Sequence, residues 1–328
     1  MESGINNIQP LLSIAIPTWN RAKTLDKALT FLIPQLYEFA NEIELIISDN
    51  ASSDETESII RKYKEENSKL NFISNRNEEN IQFFGNFTKC RELANGRYIW
   101  VLSDDDFVQK GLILKIVECL KLSNNIACVY LKSHKNQVIY STEICDKELL
   151  IEQEKYRLGF ISAAIFLNKK ENDAYLNRKY ANNPFIGFIY LLNSFNYFDN
   201  TVIVKGDCLA VSNAKPIGYN LFDVFVSGMQ AVIQYMNEIQ IDQRKIKKFR
   251  VSYLLSFIRP IYFLYKAEGN LRFSNASLSS ISYINDLLFK NYWDLISFWL
   301  WFSPLFVIPR ELLMSILKLK RLINTFLW

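Results

Sequence analysis

The sequence predicts an α/β fold: a mainly parallel sheet flanked by helices, with a helical region appended at its C-terminal end. Short apolar runs alternate with amphipathic stretches from Leu11 to Leu131, two of those runs stop at acidic residues, and aromatic and basic residues gather beyond Ile241. Leu11 to Ile16 is the first strand; it stops at Pro17-Thr18-Trp19-Asn20-Arg21, and a helix follows with Thr24 as its expected N-cap. Glu42 to Ile47 repeats this grammar, ending in Ser48-Asp49-Asn50-Ala51-Ser52-Ser53-Asp54 before an amphipathic stretch that runs to Glu66. Ser53 is placed to cap that helix, and Asp54 and Glu55 favour its positive end. Leu70 to Ser74 reads as a third strand, Phe83 to Ala94 as a helix, Tyr98 to Leu102 as a fourth strand, Gly111 to Leu122 as a helix and Ile126 to Leu131 as a fifth strand. Strands and helices alternating at these lengths imply a parallel sheet covered on both faces. Such sheets bind ligands outside the carboxyl ends of their strands, where Asp49 and the run Asp104-Asp105-Asp106 both fall.

That run is the most informative feature of the chain. A buried apolar strand, Tyr98-Ile99-Trp100-Val101-Leu102, passes through Ser103 into three consecutive carboxylates. Adjacent anions at the mouth of a low-dielectric core repel one another and need a cation or a proton. Hard carboxylate oxygens suit Mg²⁺ or Mn²⁺, which are usually held by one or two carboxylates plus the phosphates of a substrate. The plainer alternative is a solvated acidic turn that caps the helix expected near Gln109.

Taken in order and spacing, these segments resemble the family 2 glycosyltransferases of the GT-A fold. The resemblance covers roughly residues 10–120 and rests on Ile16-Pro17-Thr18-Trp19-Asn20-Arg21, on Ile47-Ser48-Asp49-Asn50-Ala51-Ser52-Ser53-Asp54, on Asn95-Gly96-Arg97-Tyr98 and on the acidic strand end. Within the family the chain is most similar to the abequosyltransferase-like branch of bacterial O-antigen enzymes, through its Ser-Asp-Asp motif, the stretch Ser162 to Lys170 and Lys205-Gly206-Asp207. The resemblance implies a metal-assisted, inverting transfer of a sugar from a nucleotide-sugar donor. Pro17, Thr18, Asn20 and Arg21 would line the nucleotide pocket, Asp49 would accept a hydrogen bond from the base, Arg76 would approach the nucleotide or its diphosphate, and Asp104 would face the ribose. Asp105 would be the principal ligand of Mg²⁺ or Mn²⁺, with Asp106 as a direct ligand or a partner of Asp105. Bacterial surface polysaccharide assembly, O-antigen or capsule, is the implied pathway, with a saccharide acceptor carried on a membrane lipid and entering beside residues 160–225.

The chain departs from the family in two places. Ser103 stands where many relatives begin the acidic motif with Asp, and Asn182-Asn183-Pro184-Phe185-Ile186 stands where an acidic pair usually opens a helix and supplies the catalytic base. Asp207 and Asp173 are the nearest acidic candidates for that role, with Asp207 preferred. His134, the single histidine, follows the fifth strand and reads as a surface or structural residue. A catalytically silent nucleotide-sugar or glycan binding module is the reading that the missing pair favours. A nucleotidyltransferase would need a basic glycine-rich loop near the N-terminus, which Pro17 to Arg21 does not supply, and no P-loop or dinucleotide-type glycine loop occurs.

With 328 residues the chain exceeds what one core usually organises. The expected division is a catalytic domain over 1–240, its nucleotide-binding half about 10–130 and its acceptor half about 131–240, followed by a helical basic and aromatic region over 241–328. Cys90, Cys119, Cys128, Cys145 and Cys208 form no Cys-x-x-Cys pair and are odd in number, which fits a reducing cytoplasm rather than a zinc site or a disulfide framework. Residues 1–10 hold no basic segment or apolar core, so no signal peptide is expected. From Ile241 onward thirteen basic side chains face five acidic ones, a net +8, which leaves −4 for residues 1–240 of the overall +4. Aromatics crowd the same region, at Tyr292-Trp293, Phe298-Trp299, Trp301-Phe302, Phe306 and Trp328. Leu295 to Pro309 is a run of 15 uncharged, mostly apolar residues, short of the roughly 20 a spanning helix needs and broken by Pro304 and Pro309. An interfacial element is expected instead, its rings at headgroup depth and Lys318, Lys320 and Arg321 on anionic lipid, which would hold the protein at the inner face of the cell membrane. The basic residues lie in long apolar helical patterns without a nucleic-acid-binding motif, so nucleic acid is excluded as a partner.

Overall fold

Four parallel strands carry the acidic ends in the computed structural model, which describes residues 9–134, 137, 139–211, 221–268 and 280–326. They are β1 (Leu12–Thr18), β2 (Ile43–Asp49), β3 (Asn71–Arg76) and β4 (Tyr98–Val101), paired in the order β3-β2-β1-β4. Every residue of β1, β2 and β4 is buried, the near-continuous apolar signature of strands covered on both faces. The covering helices of this half are α1 (Ala22–Leu32), α2 (Thr56–Glu66), α3 (Gln82–Leu93) and α4 (Leu112–Lys121).

The sheet continues with strands of both directions, so the eight-stranded sheet is mixed. β6 (Ile126–Ser133) is not the parallel neighbour of β4: β8 (Ala164–Leu167) lies between them, antiparallel to both. β9 (Asn200–Gly206) runs parallel to β6, and β7 (Ser141–Cys145) closes the edge antiparallel to β9. A separate ribbon pairs β5 (Asp106–Val108) with β10 (Leu209–Val211). Helices α5 (Lys147–Glu154), α6 (Asp173–Tyr180) and α7 (Ile186–Ser194) fill the connections. All five cysteines are buried free thiols.

Three helix starts differ from expectation, each for a reason distant in sequence. α1 begins at Ala22 rather than after Thr24, because Asp54 accepts the Ala22 amide at 3.1 Å and Thr56 accepts the Arg21 amide at 3.2 Å. α2 begins at Thr56, where the Asp54 carboxylate accepts the Thr56 amide at 3.1 Å, and Ser53 instead donates its amide to Asn20. α4 begins at Leu112 behind Gly111, whose φ of 81° is left-handed, so the acidic run does not cap this helix.

Packing divides the chain into two units, residues 1–150 with 157–214 and residues 151–156 with 215–328. The second unit is helical: α8 (Gly228–Glu238), α9 (Gln243–Tyr253), α10 (Arg259–Glu268), α11 (Ile281–Tyr292), α12 (Pro304–Val307) and α13 (Arg310–Phe326), with π-helical turns at Asp223–Ser227, Leu254–Ile258 and Phe298–Phe302. Its interior is aromatic, built on fully buried Tyr253, Tyr262, Tyr292, Phe298 and Phe302. Asp242 caps α9 by accepting the amides of Arg244 and Lys245. No single helix among the described residues is long and apolar enough to cross a membrane; Phe298–Val307 and Arg310–Lys318 form a pair bent by 106°.

Candidate active site

The crevice between β1 and β4 is where the parallel strand order turns, with β2 on one side of β1 and β4 on the other. Pro17 marks its opening. β4 pairs with β1 only as far as Ala15, and Leu102 donates to the Ala15 carbonyl at 2.9 Å; beyond that point β1 pairs with β2 alone, up to Thr18 opposite Asp49. A proline lacks the amide that a ladder on both sides would require, and here it has no second ladder to serve.

Thr18, Arg21, Asp104 and Asp105 meet in this crevice. The Thr18 hydroxyl donates to Asp104 Oδ2 at 2.7 Å, and the Arg21 guanidinium reaches Asp105 at 2.6 Å and Asp104 at 3.3 Å. Ser103 donates its hydroxyl to the other Asp105 oxygen at 2.5 Å and its amide to the Ser162 hydroxyl at 2.9 Å. Asp104 is only 6 % exposed, so the run is not a solvated turn. Burial pushes its carboxyl up to about 6, against the opposing pull of Arg21 and the Thr18 hydrogen bond. Burial also raises Asp106, which the Ser162 side chain counters with a hydrogen bond. Ser162 thus ties both ends of the acidic turn to the segment before β8, a contact that nothing in its local sequence pattern announces.

Asp49, Asn20 and Arg76 form an adjoining network on the β2 side. Asp49 is 1 % exposed; one of its oxygens accepts the Ser52 amide at 3.0 Å and the other pairs with Arg76. Arg76 also donates to the Ser52 carbonyl at 2.8 Å. Asn20, at a φ of 51°, donates its amide to Ser52 Oγ and accepts the Ser53 amide with its side chain. Asparagine tolerates this left-handed backbone better than most residues. The turn after β2 and the turn after β1 are therefore one hydrogen-bonded structure. From Asn50 it extends to three asparagines not singled out from sequence: Asn50 bonds Asn80 and Asn77, and Asn77 bonds Asn86.

The two acidic residues weighed for proton transfer differ in their surroundings. In the β5–β10 ribbon Val211 faces Asp106 and Leu209 faces Val108, and Asp207 lies in the turn between β9 and β10, where its amide donates to the Gln137 carbonyl at 2.9 Å. Asp173 forms a bidentate pair with Arg91 at 2.9 Å for both contacts, and Arg91 is 2 % exposed with its guanidinium carbon 4.0 Å from the Tyr190 ring centre. That is the arrangement of a structural ion pair. The stretch Asn182-Asn183-Pro184 does open a helix, α7, with Asn183 accepting the Phe185 amide at 2.8 Å. Of the expected acceptor side, residues 212–220 lie outside the described residues.

The donor set is suited to a hard divalent ion. Asp105 and Asp106 are its carboxylates, with the Asp105 oxygens paired here with Arg21 and Ser103, and no group of three or more His, Cys, Asp or Glu side chains able to hold a metal occurs among the described residues. An ion here would be completed by phosphate oxygens, the habit of Mg²⁺ sites.

The model of glycosyl transferase family 2 matches residues 13–190. Abequosyltransferase RfbV of Salmonella typhimurium is 30 % identical over 220 residues, 66 % of this chain and 60 % of the relative; the match thus spans less than two thirds of that protein. The GalNAc(5)-diNAcBac-PP-undecaprenol beta-1,3-glucosyltransferase of Campylobacter jejuni is 22 % identical over 287 residues, 82 % of this chain and 89 % of the relative. Among solved structures, S. aureus TarS 1–349 in complex with UDP-GlcNAc superposes with a TM-score of 0.59 at 17 % identity, over 79 % of this chain and 76 % of that one. The mannosyltransferase PcManGT of Pyrobaculum calidifontis, in complex with GDP-Man and Mn²⁺, gives a TM-score of 0.51 at 12 % identity, over 80 % of this chain and 77 % of that one. The shared fold is the GT-A glycosyltransferase fold.

Proposed function

The chain belongs to glycosyl transferase family 2, and on that premise we propose that it moves a sugar from a nucleotide-sugar donor to a saccharide acceptor in the assembly of a bacterial surface polysaccharide. The observation that carries the proposal is the acidic strand end in the β1–β4 crevice, where Asp104 and Asp105 meet Thr18 and Arg21. The relatives add direction: one is an abequosyltransferase, and another acts on a saccharide linked through diphosphate to undecaprenol. A lipid-linked acceptor, and with it a peripheral contact with the inner face of the membrane through the C-terminal region, belongs to the same reading.

In this reading Thr18, Asn20, Arg21, Asp49 and Arg76 border the nucleoside, with Asp104 held by Thr18 at the ribose. Asp105 and Asp106 would hold Mg²⁺ or Mn²⁺, which when bound offsets the negative charge gathering on the departing diphosphate. Arg21 is the chain's own cation at the same place, and a guanidinium suits diphosphate oxygens as well as carboxylates. The acceptor hydroxyl oxygen attacks the anomeric carbon, the bond from that carbon to the diphosphate oxygen breaks, and the nucleoside diphosphate leaves; a single displacement inverts the centre. The hydroxyl proton passes to a base, for which Asp207 is the candidate carried from the sequence.

The absence of a carboxylate at the opening of α7 favours a second reading, a binding module that holds a nucleotide sugar or glycan without turning it over. Release of nucleoside diphosphate from its sugar in the presence of acceptor separates the two. The primary test is calorimetric titration with UDP, CDP, GDP and dTDP, each with and without Mn²⁺. We expect metal-dependent binding of one of them, lost in Asp105→Asn with the melting temperature kept. Failure of all four to bind would remove the donor site, and unchanged binding in Asp105→Asn would remove the metal assignment.

A further inference from the structure

The second unit presents large apolar side chains that a protein surface in water does not favour. The π-helical turn Phe298–Phe302 buries its first and last rings completely and leaves Trp299, Leu300 and Trp301 outside, Leu300 at 63 % and Trp301 at 60 % exposure. The patch is continuous with its neighbours on α11. Exposed Trp299 meets exposed Phe289 edge-on, ring centres 5.8 Å apart at 86°, and donates its indole N–H to the carbonyl of exposed Trp293 at 2.8 Å. That hydrogen bond satisfies the one polar atom of Trp299 inside the protein, so the ring presents only apolar surface.

Basic charge adjoins the patch. Arg250 of α9 pairs with both oxygens of Asp294, at 2.6 and 2.7 Å, and donates to the Asn291 carbonyl at 3.0 Å. Lys247, one turn earlier on α9 and exposed, adds to the field that lowers the Asp294 carboxyl, after the Arg250 hydrogen bond. The acidic residue next to Trp293 is thereby neutralised, and the exposed charge left on α9 beside it is positive. A sharp bend follows: Phe298–Val307 and Arg310–Lys318 meet at 106° across a break that contains Pro309, so the two arms do not form one straight helix.

We propose that this face, Phe289, Trp293, Trp299, Leu300 and Trp301 with Lys247 beside it, lies in the surface of an anionic bilayer as an in-plane anchor rather than a span. Apolar rings and a leucine enter the acyl boundary while lysine stays at the headgroups, the combination that binds interfaces whose lipids carry negative charge. The inference deepens the membrane contact proposed above and does not depend on sugar transfer. The side chains of Lys320 and Arg321, also expected on lipid, lie outside the described residues.

Leu300 and Trp301 have most of their surface in water, so Leu300→Ser/Trp301→Ser removes the anchor with little effect on the core. The experiment is sedimentation of the full chain with vesicles of phosphatidylcholine alone or of phosphatidylcholine and phosphatidylglycerol in equal parts. Wild type should sediment with the mixed vesicles and less so in high salt. The double variant should bind at least about tenfold more weakly, and Lys247→Gln should weaken binding to the mixed vesicles only. Wild type remaining in the supernatant, or equal sedimentation of the double variant, overturns the proposal. So does light scattering that finds a lipid-free dimer made monomeric by the double variant, since a second copy would then cover the face. Calorimetry with the nucleotide series on the same samples reports the donor site separately: lost vesicle binding with retained nucleotide binding supports the anchor, and a wild type that binds vesicles but no nucleotide counts against the transfer reading alone.

Discussion

Asp104 is ionised at a cost set by its surroundings. Burial lifts its carboxyl from an ordinary 3.8 to about 6, while Arg21 and Thr18 pull the other way. Between those two pH values the folded chain keeps a proton that the unfolded chain has released, so stability falls as pH rises through that window and stays lower above it. Asp104→Asn keeps an oxygen for Thr18 but cannot titrate. Relative to wild type, the variant should therefore gain stability from pH 4 to pH 6, on the order of 2 kcal/mol, in thermal unfolding followed across the window. A difference that stays flat with pH would mean Asp104 is not held against its burial. The acidic run was legible because three adjacent carboxylates after an apolar strand demand a cation, whereas roles for Thr18, Arg21, Asp49 and Arg76 came only with the family resemblance. What that strand end could not reveal is that the chain supplies one itself: Arg21 lies 83 positions from Asp104, and only the closing of β1 against β4 brings them within 3.3 Å. The contact of Ser162 with the acidic turn and the bonds of Asn50 to Asn77 and Asn80 have no local signature for the same reason, since the partners are distant and the residue types are unremarkable alone.

The Asn95-Gly96-Arg97-Tyr98 segment shows how an element is fixed by one position. Buried Glu44 of β2 accepts the Gly96 amide at 3.0 Å and the Ser13 hydroxyl at 2.5 Å, and Ser13 in turn accepts the Gly96 amide at 2.7 Å. This cluster joins β1, β2 and the turn into β4, and so sets the register that carries the acidic run to the crevice. A Cβ on Gly96 would lie 2.5 Å from the Ser13 nitrogen and 2.8 Å from the Leu12 carbonyl carbon, both main-chain atoms in a central strand. Gly96→Ala should cost about 3 kcal/mol in urea unfolding, at the upper end for an overpacked site; an undisturbed midpoint would show that β1 yields. β1, β2, β4 and β6 could be read from sequence because each is a mainly apolar run ended by a turn, whereas β9, parallel to β6, was not read. β8 could not: Ala164–Leu167 is a four-residue run whose place between β4 and β6 depends on two ladders to strands far along the chain. Helix starts were misplaced by a few residues where the capping groups arrive from another loop, as Asp54 does for Ala22.

At the scale of the whole molecule the two units carry different chemistry, carboxylates at the strand-end crevice in the first, exposed rings with basic residues in the second. A membrane anchor matters for transfer only if the acceptor is also in the membrane. Confining enzyme and acceptor to one surface raises their effective concentration without any new contact at the reacting atoms. Leu300→Ser/Trp301→Ser should then slow transfer to an acceptor embedded in vesicles by about tenfold or more, through a higher apparent KM, and leave transfer to a short-chain, water-soluble version of the same acceptor unchanged. Equal slowing with both acceptors would mean that the substitution reaches the donor site through the fold. Equal rates with both would mean that the face touches the membrane without serving the reaction. The charge asymmetry of the sequence, +8 from residue 241 onward against −4 before it, acquires its purpose only under the expected outcome: the basic C-terminal region holds the anionic surface, and the acidic remainder is left free to gather a cation.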